Sequence, residues 1–140
     1  MRRTVMIAGG ILLGLAAIAL FVSRSGRAFA SISPEEARAR LARDSTIVLL
    51  DVRSEKEYRS ETGHLAGAIC IPEDSLGNRI GELSAFRGQP LIVYCKTGRR
   101  STRASEFLAQ QGFEPVNLEG GIQRWADRGY PVVIEKDKEN

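Results

Sequence analysis

The chain has 140 residues, of which 43% are apolar and 26% are charged, and its formal net charge is +3. This length suits one domain with a single core, and the apolar fraction excludes a disordered or collagen-like chain. Two cysteines are too few for a disulfide framework or a four-cysteine zinc site, and we expect neither a metal nor another cofactor.

Most of the excess positive charge lies at the N-terminus. Residues 1–30 contain four arginines and no acid, whereas residues 31–140 contain 16 basic and 17 acidic side chains. Net charge indicates a partner only where the charge is concentrated. The nearly neutral body of the chain therefore gives no support for nucleic-acid binding.

An apolar segment lies between the arginines of this leader. Residues 5–22 contain no charged side chain, and as a helix they would span roughly 27 Å, close to the thickness of a bilayer's hydrocarbon core. The length favours a single-pass signal anchor in the lipid bilayer, with the domain on the extracytoplasmic (periplasmic) side if Arg2 and Arg3 stay inside. The alternative is a secreted domain, released by cleavage after Ala30, because residues 28–30 have the small-x-small form of a cleavage site.

The rest of the chain alternates between predicted helices and strands. Ser33 is the expected N-cap of a helix that runs to about Leu41, with Pro34 at its first position and Glu36 placed to close a capping box. Continuous apolar runs predict buried strands, and helical spacing of apolar residues predicts two later helices. The strands are 47–52, 69–71, 91–94 and 115–118, the helices are 101–111 and 121–128, and a polar tail occupies 135–140. This alternation indicates an α/β fold with a parallel sheet covered on both faces.

A cysteine follows the third predicted strand. Cys95 begins a six-residue turn that ends at Arg100 and leads into a helix, at the sheet edge where open α/β folds place their active sites. Backbone N–H groups, the helix N-terminus and the cations of Lys96, Arg99 and Arg100 all favour negative charge on the sulfur, which predicts a reactive thiolate. The alternative is a small buried hydrophobic residue, but so many charges beside an inert thiol would be costly to bury.

The spacing around Cys95 separates two kinds of anion chemistry. Protein phosphatases of the cysteine type place an arginine after five intervening residues, a loop wide enough to hold a phosphate. Ser101 occupies that place here, and the arginine comes one residue early. The narrower loop favours a terminal sulfur over a tetrahedral oxyanion and disfavours a phosphatase or arsenate reductase.

Four segments of the chain contain recognisable sequence motifs. They are Asp51-Val52-Arg53 with Glu57-Tyr58, Gly63-His64-Leu65-Ala66-Gly67-Ala68-Ile69 leading to Ile71-Pro72, Cys95-Lys96-Thr97-Gly98-Arg99-Arg100-Ser101, and Leu118-Glu119-Gly120-Gly121-Ile122 with Trp125. In this order they resemble the single-domain rhodanese family, over about residues 32–134. The resemblance implies a rhodanese-like α/β domain whose five-stranded parallel sheet is flanked by helices on both faces.

The resemblance also implies a chemistry. Cys95 would carry a persulfide while sulfur passes from a small anionic donor such as thiosulfate to a thiol or cyanide acceptor, as in a thiosulfate sulfurtransferase. The substrate-binding loop would consist of Lys96, Thr97, Gly98, Arg99 and Arg100. The domain is expected to be monomeric. The alternative is a binding module with the same fold that carries or senses sulfane sulfur, or docks a protein, without significant turnover.

Polar residues near the predicted site are interpreted as structural. Asp51 and Arg53 follow a buried strand, where charges must pair, and we expect an ion pair that holds the fold, with contact between Arg53 and the site as the alternative. His64 lies in a glycine-flanked turn, and a thiolate nucleophile needs no base, so a structural role is expected for it.

The remaining candidate residues are also expected to have structural roles. Cys70 is flanked by apolar residues and is predicted to be a buried, inert thiol without a disulfide to Cys95, because the rhodanese sheet order would keep their strands apart. Trp125 and Phe113 are predicted core residues. A tight strand-to-helix turn is expected at Glu119-Gly120-Gly121 because glycine has wide backbone freedom.

Overall fold

The computed structural model describes residues 28–135. The predicted membrane-spanning segment at 5–22 lies outside the described residues, as does all but the first residue of the predicted tail. Within residues 28–135, no helix combines the length and the apolar character that a membrane span requires.

One sheet of five parallel strands forms the centre of the domain, in the order β1-β5-β4-β2-β3. The strands are β1 (Ala30–Ile32), β2 (Val48–Asp51), β3 (Ile69–Cys70), β4 (Pro90–Tyr94) and β5 (Glu114–Leu118). This confirms the expected five-stranded parallel sheet. The apolar pattern does not predict β1, whose first residue, Ala30, precedes the predicted start of the domain at residue 32.

Helices cover both faces of the sheet. They are α1 (Pro34–Arg43), α2 (Glu55–Tyr58), α3 (Leu76–Arg79), α4 (Arg99–Gln110) and α5 (Gly121–Asp127), with 3-10 turns at Glu73–Ser75 and Ile80–Phe86. Two hydrophobic clusters lie on the opposite faces. One contains Leu50 and Val93 and packs against α4, and the other contains Leu49, Ile92 and Trp125. Neighbouring residues of β2 and β4 belong to different clusters, so both faces of each strand are buried. This explains why the sequences of these strands are continuous apolar runs.

The helix starts differ in part from the predicted pattern. Ser33 Oγ accepts a hydrogen bond from the Glu36 backbone N–H at 3.2 Å, as expected of an N-cap. The Glu36 carboxylate does not complete the capping box, because it pairs with Arg40 one turn later. A complete capping box forms instead at α2, between Ser54 and Glu57.

The register of the central strands positions the candidate site. Asp51, the last residue of β2, pairs with Tyr94, the last residue of β4, and with Cys70 in β3. Cys95 follows Tyr94 directly and is 1% exposed. The carboxyl ends of the three strands therefore bring Asp51 and both cysteines to one edge of the sheet.

Candidate active site

The thiol of Cys95 lies in a cradle of hydrogen-bond donors. Its Sγ accepts the Gly98 backbone N–H at 3.1 Å and lies 3.4 Å from the Ser101 hydroxyl. Gly98 has φ of 107°, in the left-handed region, which turns the chain back so that its amide faces the sulfur. Burial raises the pKa of the thiol, but hydrogen bonds from Ser101, Gly98 and Thr97 outweigh burial and leave the pKa below its ordinary value.

The turn after Cys95 is shorter than predicted. We expected a six-residue turn ending at Arg100, but α4 begins at Arg99, and Gly98 is its N-cap. The Thr102 backbone N–H already donates to the Gly98 carbonyl at 3.1 Å. Arg99 and Arg100 therefore lie in the first turn of α4. The chain reverses at a single glycine in the left-handed region, whereas we expected the reversal to extend over several residues.

The predicted substrate-binding residues face different surfaces around the cradle. Thr97, Gly98 and Arg99 line a cavity of about 550 Å³, whereas Lys96 lines a separate cavity of about 280 Å³. Arg100 lies at a third surface depression, beside α3. The structure thus places three of the five residues at one cavity and the other two at separate depressions.

Arg100 is held by an acid that the sequence analysis assigned no role. Its Nη1 and Nη2 donate to the two carboxylate oxygens of Glu57 at 2.7 and 2.8 Å. The hydrogen bonds from Arg100 lower the pKa of Glu57 to about 2, against its ordinary 4.5. Glu57 also completes the capping box with Ser54, and the Ser-x-x-Glu spacing is the sequence signal that identifies it. This residue joins α2 to the helix that carries the cradle.

The start of α5 also holds the backbone of the cradle, through two hydrogen bonds. The Ile122 and Gln123 amides donate to the carbonyl oxygens of Cys95 and Lys96 at 2.9 and 3.0 Å. A Cβ on Gly121 would lie 2.4 Å from the Cys95 carbonyl oxygen, so only glycine permits this approach. The turn predicted at Glu119-Gly120-Gly121 therefore contacts the thiol loop directly.

Asp51 and Arg53 form a buried ion pair beside the cradle. The Arg53 Nη2 donates to Asp51 Oδ2 at 2.7 Å, and both side chains are at most 1% exposed. Arg53 Nε also donates to Asp51, while Nη1 reaches the Thr62 hydroxyl at 3.1 Å and Nη2 the Gly63 carbonyl at 2.7 Å. These contacts join the end of β2 to the turn that precedes His64. Arg53 also lines the smaller cavity together with Lys96.

Both the side chain and the backbone of His64 make structural contacts. Its ring stacks on Tyr58 with centroids 3.8 Å apart, and its Nδ1 lies 3.2 Å from the Tyr58 carbonyl oxygen. Its backbone pairs with Val133 in an isolated antiparallel bridge. The side chain is 5% exposed. These contacts give His64 a structural place in the domain.

Cys70 differs from its predicted state in one respect. It is half-buried rather than buried, because β3 is the edge strand of the sheet. Its Sγ donates to the Arg53 carbonyl oxygen at 3.7 Å, and burial, with the charge of Asp51, raises its pKa to about 11. Both cysteines are free thiols, and β2 lies between their strands.

No metal centre is formed by the described part of the chain. Across residues 28–135, no three His, Cys, Asp or Glu side chains are grouped so that they could hold a metal ion.

Comparison with known proteins gives concordant results. The family described as the rhodanese-like domain matches residues 33–128. A sulfurtransferase of Allochromatium vinosum is 35% identical over 73% of this chain and 92% of its own length. A probable adenylyltransferase/sulfurtransferase of Mycobacterium tuberculosis is 32% identical over 74% of this chain, but the match spans only 26% of that longer protein.

Solved structures agree with the fold. A rhodanese-related protein from Thermoplasma volcanium superposes with a TM-score of 0.69 at 36% identity, covering 76% of this chain and all of the other. A rhodanese-like domain protein from Staphylococcus aureus gives a TM-score of 0.67 at 27% identity, covering 77% of this chain and all of the other.

Proposed function

The chain belongs to the rhodanese-like domain family, and on that basis we propose that it moves a sulfane sulfur from thiosulfate, or a similar small anion, to a thiol or cyanide acceptor. The sulfur is carried as a persulfide on Cys95. The observation that carries the proposal is the Gly98 amide donating to the Cys95 sulfur at 3.1 Å, together with the lowered pKa of that thiol. A thiol in this environment is ionised more readily than a free cysteine.

In the first step, the Cys95 thiolate attacks the outer sulfur of thiosulfate. A bond forms between the two sulfurs, the sulfur–sulfur bond of thiosulfate breaks, and sulfite leaves with the electron pair. Because both reactants are anions, their approach needs positive charge. Lys96 and Arg99 belong to the loop and supply this charge, and the Gly98 amide stabilises charge on the sulfur.

In the second step, the acceptor attacks the terminal sulfur of the persulfide. A bond forms between the acceptor and that sulfur, and the electron pair of the broken bond returns to Cys95 as a thiolate. A thiolate of lowered pKa leaves faster, so the donors around Sγ assist both steps. Neither step requires a base on the protein, which agrees with a His64 ring stacked on Tyr58.

The test is thiocyanate formation from thiosulfate and cyanide by the purified chain. Cys95→Ser is expected to abolish thiocyanate formation and the mass gain of one sulfur atom after thiosulfate treatment. Cys70→Ser is the matched control and is expected to retain both, because the Cys70 thiol donates to the Arg53 carbonyl oxygen and its pKa is raised to about 11. Equal rates from the wild-type and Cys95→Ser proteins would refute the proposal. Persulfide formation without transfer to any acceptor would favour a sulfur carrier.

We also propose that the leader remains attached, with residues 5–22 as a membrane anchor and the domain on the extracytoplasmic side. Cleavage after Ala30 would remove Phe29, which is 8% exposed in the core, and the first residue of β1. Losing a buried aromatic side chain costs about 2 kcal/mol. Intact mass of the protein in membrane and soluble fractions tests this: a soluble form starting at Ser31 would contradict it.

A further inference from the structure

The three cations around the thiol differ in whether an acid holds them. Arg100 is paired with Glu57, whereas neither Lys96 nor Arg99 lies within ion-pair distance of a carboxylate from residues 28–135. The two Nη atoms of Arg100 donate to different oxygens of Glu57, at 2.7 and 2.8 Å. A bidentate pair of this kind is the arrangement in which a guanidinium binds an anionic ligand. The protein itself therefore occupies that face of Arg100.

The charge of Glu57 is not required by its own helix. Its Oε2 accepts the Ser54 backbone N–H at 3.1 Å and the Ser54 hydroxyl at 3.0 Å, which completes the capping box of α2. A capping box needs a side-chain oxygen but no charge, and glutamine serves in that place as well as glutamate. The cation that the charge of Glu57 meets is Arg100.

The pair lies near enough to the thiol for its charges to act there. Arg100 stands in the first turn of α4, between Gly98, whose amide donates to Sγ, and Ser101, whose hydroxyl is 3.4 Å from Sγ. The pKa of Arg100 is raised, chiefly by the hydrogen bonds with Glu57 and also by negative charge on Cys95. Both members of the pair are about one-third exposed, so water screens their charges only in part. Glu57 therefore cancels a positive charge that would otherwise act on the sulfur.

This cancellation affects the first step of the proposed reaction, in which an anionic donor meets the Cys95 thiolate. The electrostatic free energy of a donor at the cradle is proportional to the donor's charge. One cancelled positive charge therefore disfavours a dianion such as thiosulfate twice as strongly, in free energy, as a monoanion of the same shape. A neutral donor is not affected.

We propose that Glu57 is a specificity-determining residue that acts through Arg100 and weakens the binding of doubly charged sulfur donors relative to donors of lower charge. Glu57 acts by holding and neutralising Arg100 rather than by contact with the reacting sulfur. This assignment rests on the proposed sulfur transfer and names the residue that sets the preference among its donors.

The most direct test compares two alkylating reagents that differ by one negative charge, iodoacetate and iodoacetamide, on the full chain. Both react with the same Cys95 thiolate, so the ratio of their rates cancels the ionised fraction and reports the electrostatic potential at the sulfur. The rates are followed by peptide mass, which separates Cys95 from Cys70. No sulfur transfer is needed for this measurement.

Glu57→Gln is expected to raise the iodoacetate-to-iodoacetamide ratio at Cys95 about threefold, because a negative charge near the sulfur is lost. Arg100→Gln is expected to lower the ratio about threefold, because the carboxylate of Glu57 then acts without its cation. The double variant removes a pair of zero net charge and is expected to return to the wild-type ratio. An unchanged ratio in Glu57→Gln, or shifts of the same sign in the two single variants, would overturn the assignment.

Glu82→Gln is the matched control. Glu82 forms a pair of the same kind with Arg79, at 2.7 and 3.0 Å, and its loss changes the net charge of the chain by the same amount. The pKa of Arg79 is raised by the hydrogen bond with Glu82 and also by the charge of Cys70. The ratio at Cys95 is therefore expected to stay unchanged. A rise equal to that of Glu57→Gln would show a general effect of net charge and refute the proposal.

Donor choice itself is measured with thiosulfate and methanethiosulfonate, in which a methyl group replaces one charged oxygen, and with cyanide as acceptor. Glu57→Gln is expected to raise kcat/KM about tenfold for thiosulfate and about threefold for methanethiosulfonate. Equal changes for the two donors, or a loss of activity with both, would show that Glu57 only holds α2 against α4 and would overturn the proposal. If the wild-type chain gains no sulfur from either donor, the proposed function fails, whereas the alkylation ratio still decides whether Glu57 controls the charge at Cys95.

Discussion

The two cysteines of the domain both lie at the carboxyl ends of their strands, but their thiol pKa values shift in opposite directions. Cys95 is 1% exposed, yet the pKa of its thiol is lowered. Cys70 is half-buried, yet its pKa is raised to about 11. Burial alone predicts the reverse order, because removal from water disfavours the thiolate more strongly in the more buried site.

The difference lies in what each sulfur faces. Cys95 accepts the Gly98 amide at its sulfur. The Ser101 hydroxyl also reaches the Gly98 carbonyl oxygen, at 3.2 Å, and can turn its one hydrogen to a thiolate. Cys70 faces the Arg53 carbonyl oxygen, which accepts a hydrogen from the thiol, and the negative charge of Asp51 lies near it. The orientation of a few polar groups therefore decides which thiol is reactive, and the following variants test that conclusion.

The largest expected effect comes from Asp51→Asn. It leaves Arg53 buried without its partner, which is expected to destabilise the domain by about 3–5 kcal/mol. It also removes the Asp51 charge, which adds to burial in raising the Cys70 pKa, so that pKa is expected to fall while Cys95 keeps its donors. Urea unfolding and thiol titration measure the two effects. A stability loss below about 1 kcal/mol would show that the buried pair does not hold the fold.

Gly98→Ala tests the cradle itself. An alanine is strained at φ of 107°, and we expect a stability loss of about 1–3 kcal/mol. Relief of that strain would turn the amide away from the sulfur, raise the Cys95 pKa and slow sulfur loading. Gly67→Ala is the matched control, with φ of 77° and open space around the position. If both variants load sulfur at the same rate, the Gly98 amide has no role in the chemistry.

Glu57→Gln tests the attachment of α2 to the helix bearing the cradle. The pKa of Glu57 is about 2, below its ordinary 4.5, so its stabilising contribution is complete above pH 4.5 and disappears as the pH falls through 2. The pair is about one-third exposed, so we expect a loss of about 1 kcal/mol at neutral pH. Urea midpoints should converge between the variant and wild type as the pH approaches 2; a constant difference would contradict the ion pair.

Ser101→Ala gives the smallest expected effect. It removes the hydroxyl 3.4 Å from Sγ, which should raise the Cys95 pKa without changing that of Cys70. Ser105→Ala is the control on the same helix, because Ser105 is fully buried and its hydroxyl has no partner within residues 28–135. The control is expected to leave the Cys95 pKa unchanged and to be neutral or stabilising by up to about 1 kcal/mol. Equal Cys95 titration curves for the two variants would show that the Ser101 hydroxyl does not lower the pKa of that thiol.

Sequence pattern predicts the parts of the domain that depend on neighbouring residues. The apolar runs of β2 and β4 are recognisable because both faces of these strands are buried, and the N-cap at Ser33 depends on residues three positions apart. By contrast, β1 has only three residues, too few for an apolar run to be recognised.

The features that the sequence does not reveal depend on distant partners or on backbone conformation. Glu57 is 43 residues from Arg100, and no local pattern indicates their pairing. The early start of α4 depends on the left-handed conformation of Gly98, and the cysteine-to-arginine spacing alone did not specify where the turn ends. Cys70 is more exposed than predicted because the sheet order, which its own segment cannot encode, places β3 at the edge.

The cradle, rather than exposure, selects the reactive thiol in this domain. The most direct measurement is the rate of iodoacetamide alkylation at each cysteine as a function of pH, followed by peptide mass. If the cradle selects the reactive thiol, Cys95 titrates below the ordinary thiol value of 9.0 and Cys70 titrates near 11. A Cys95 midpoint at or above 9.0, or Cys70 titrating first, would contradict it.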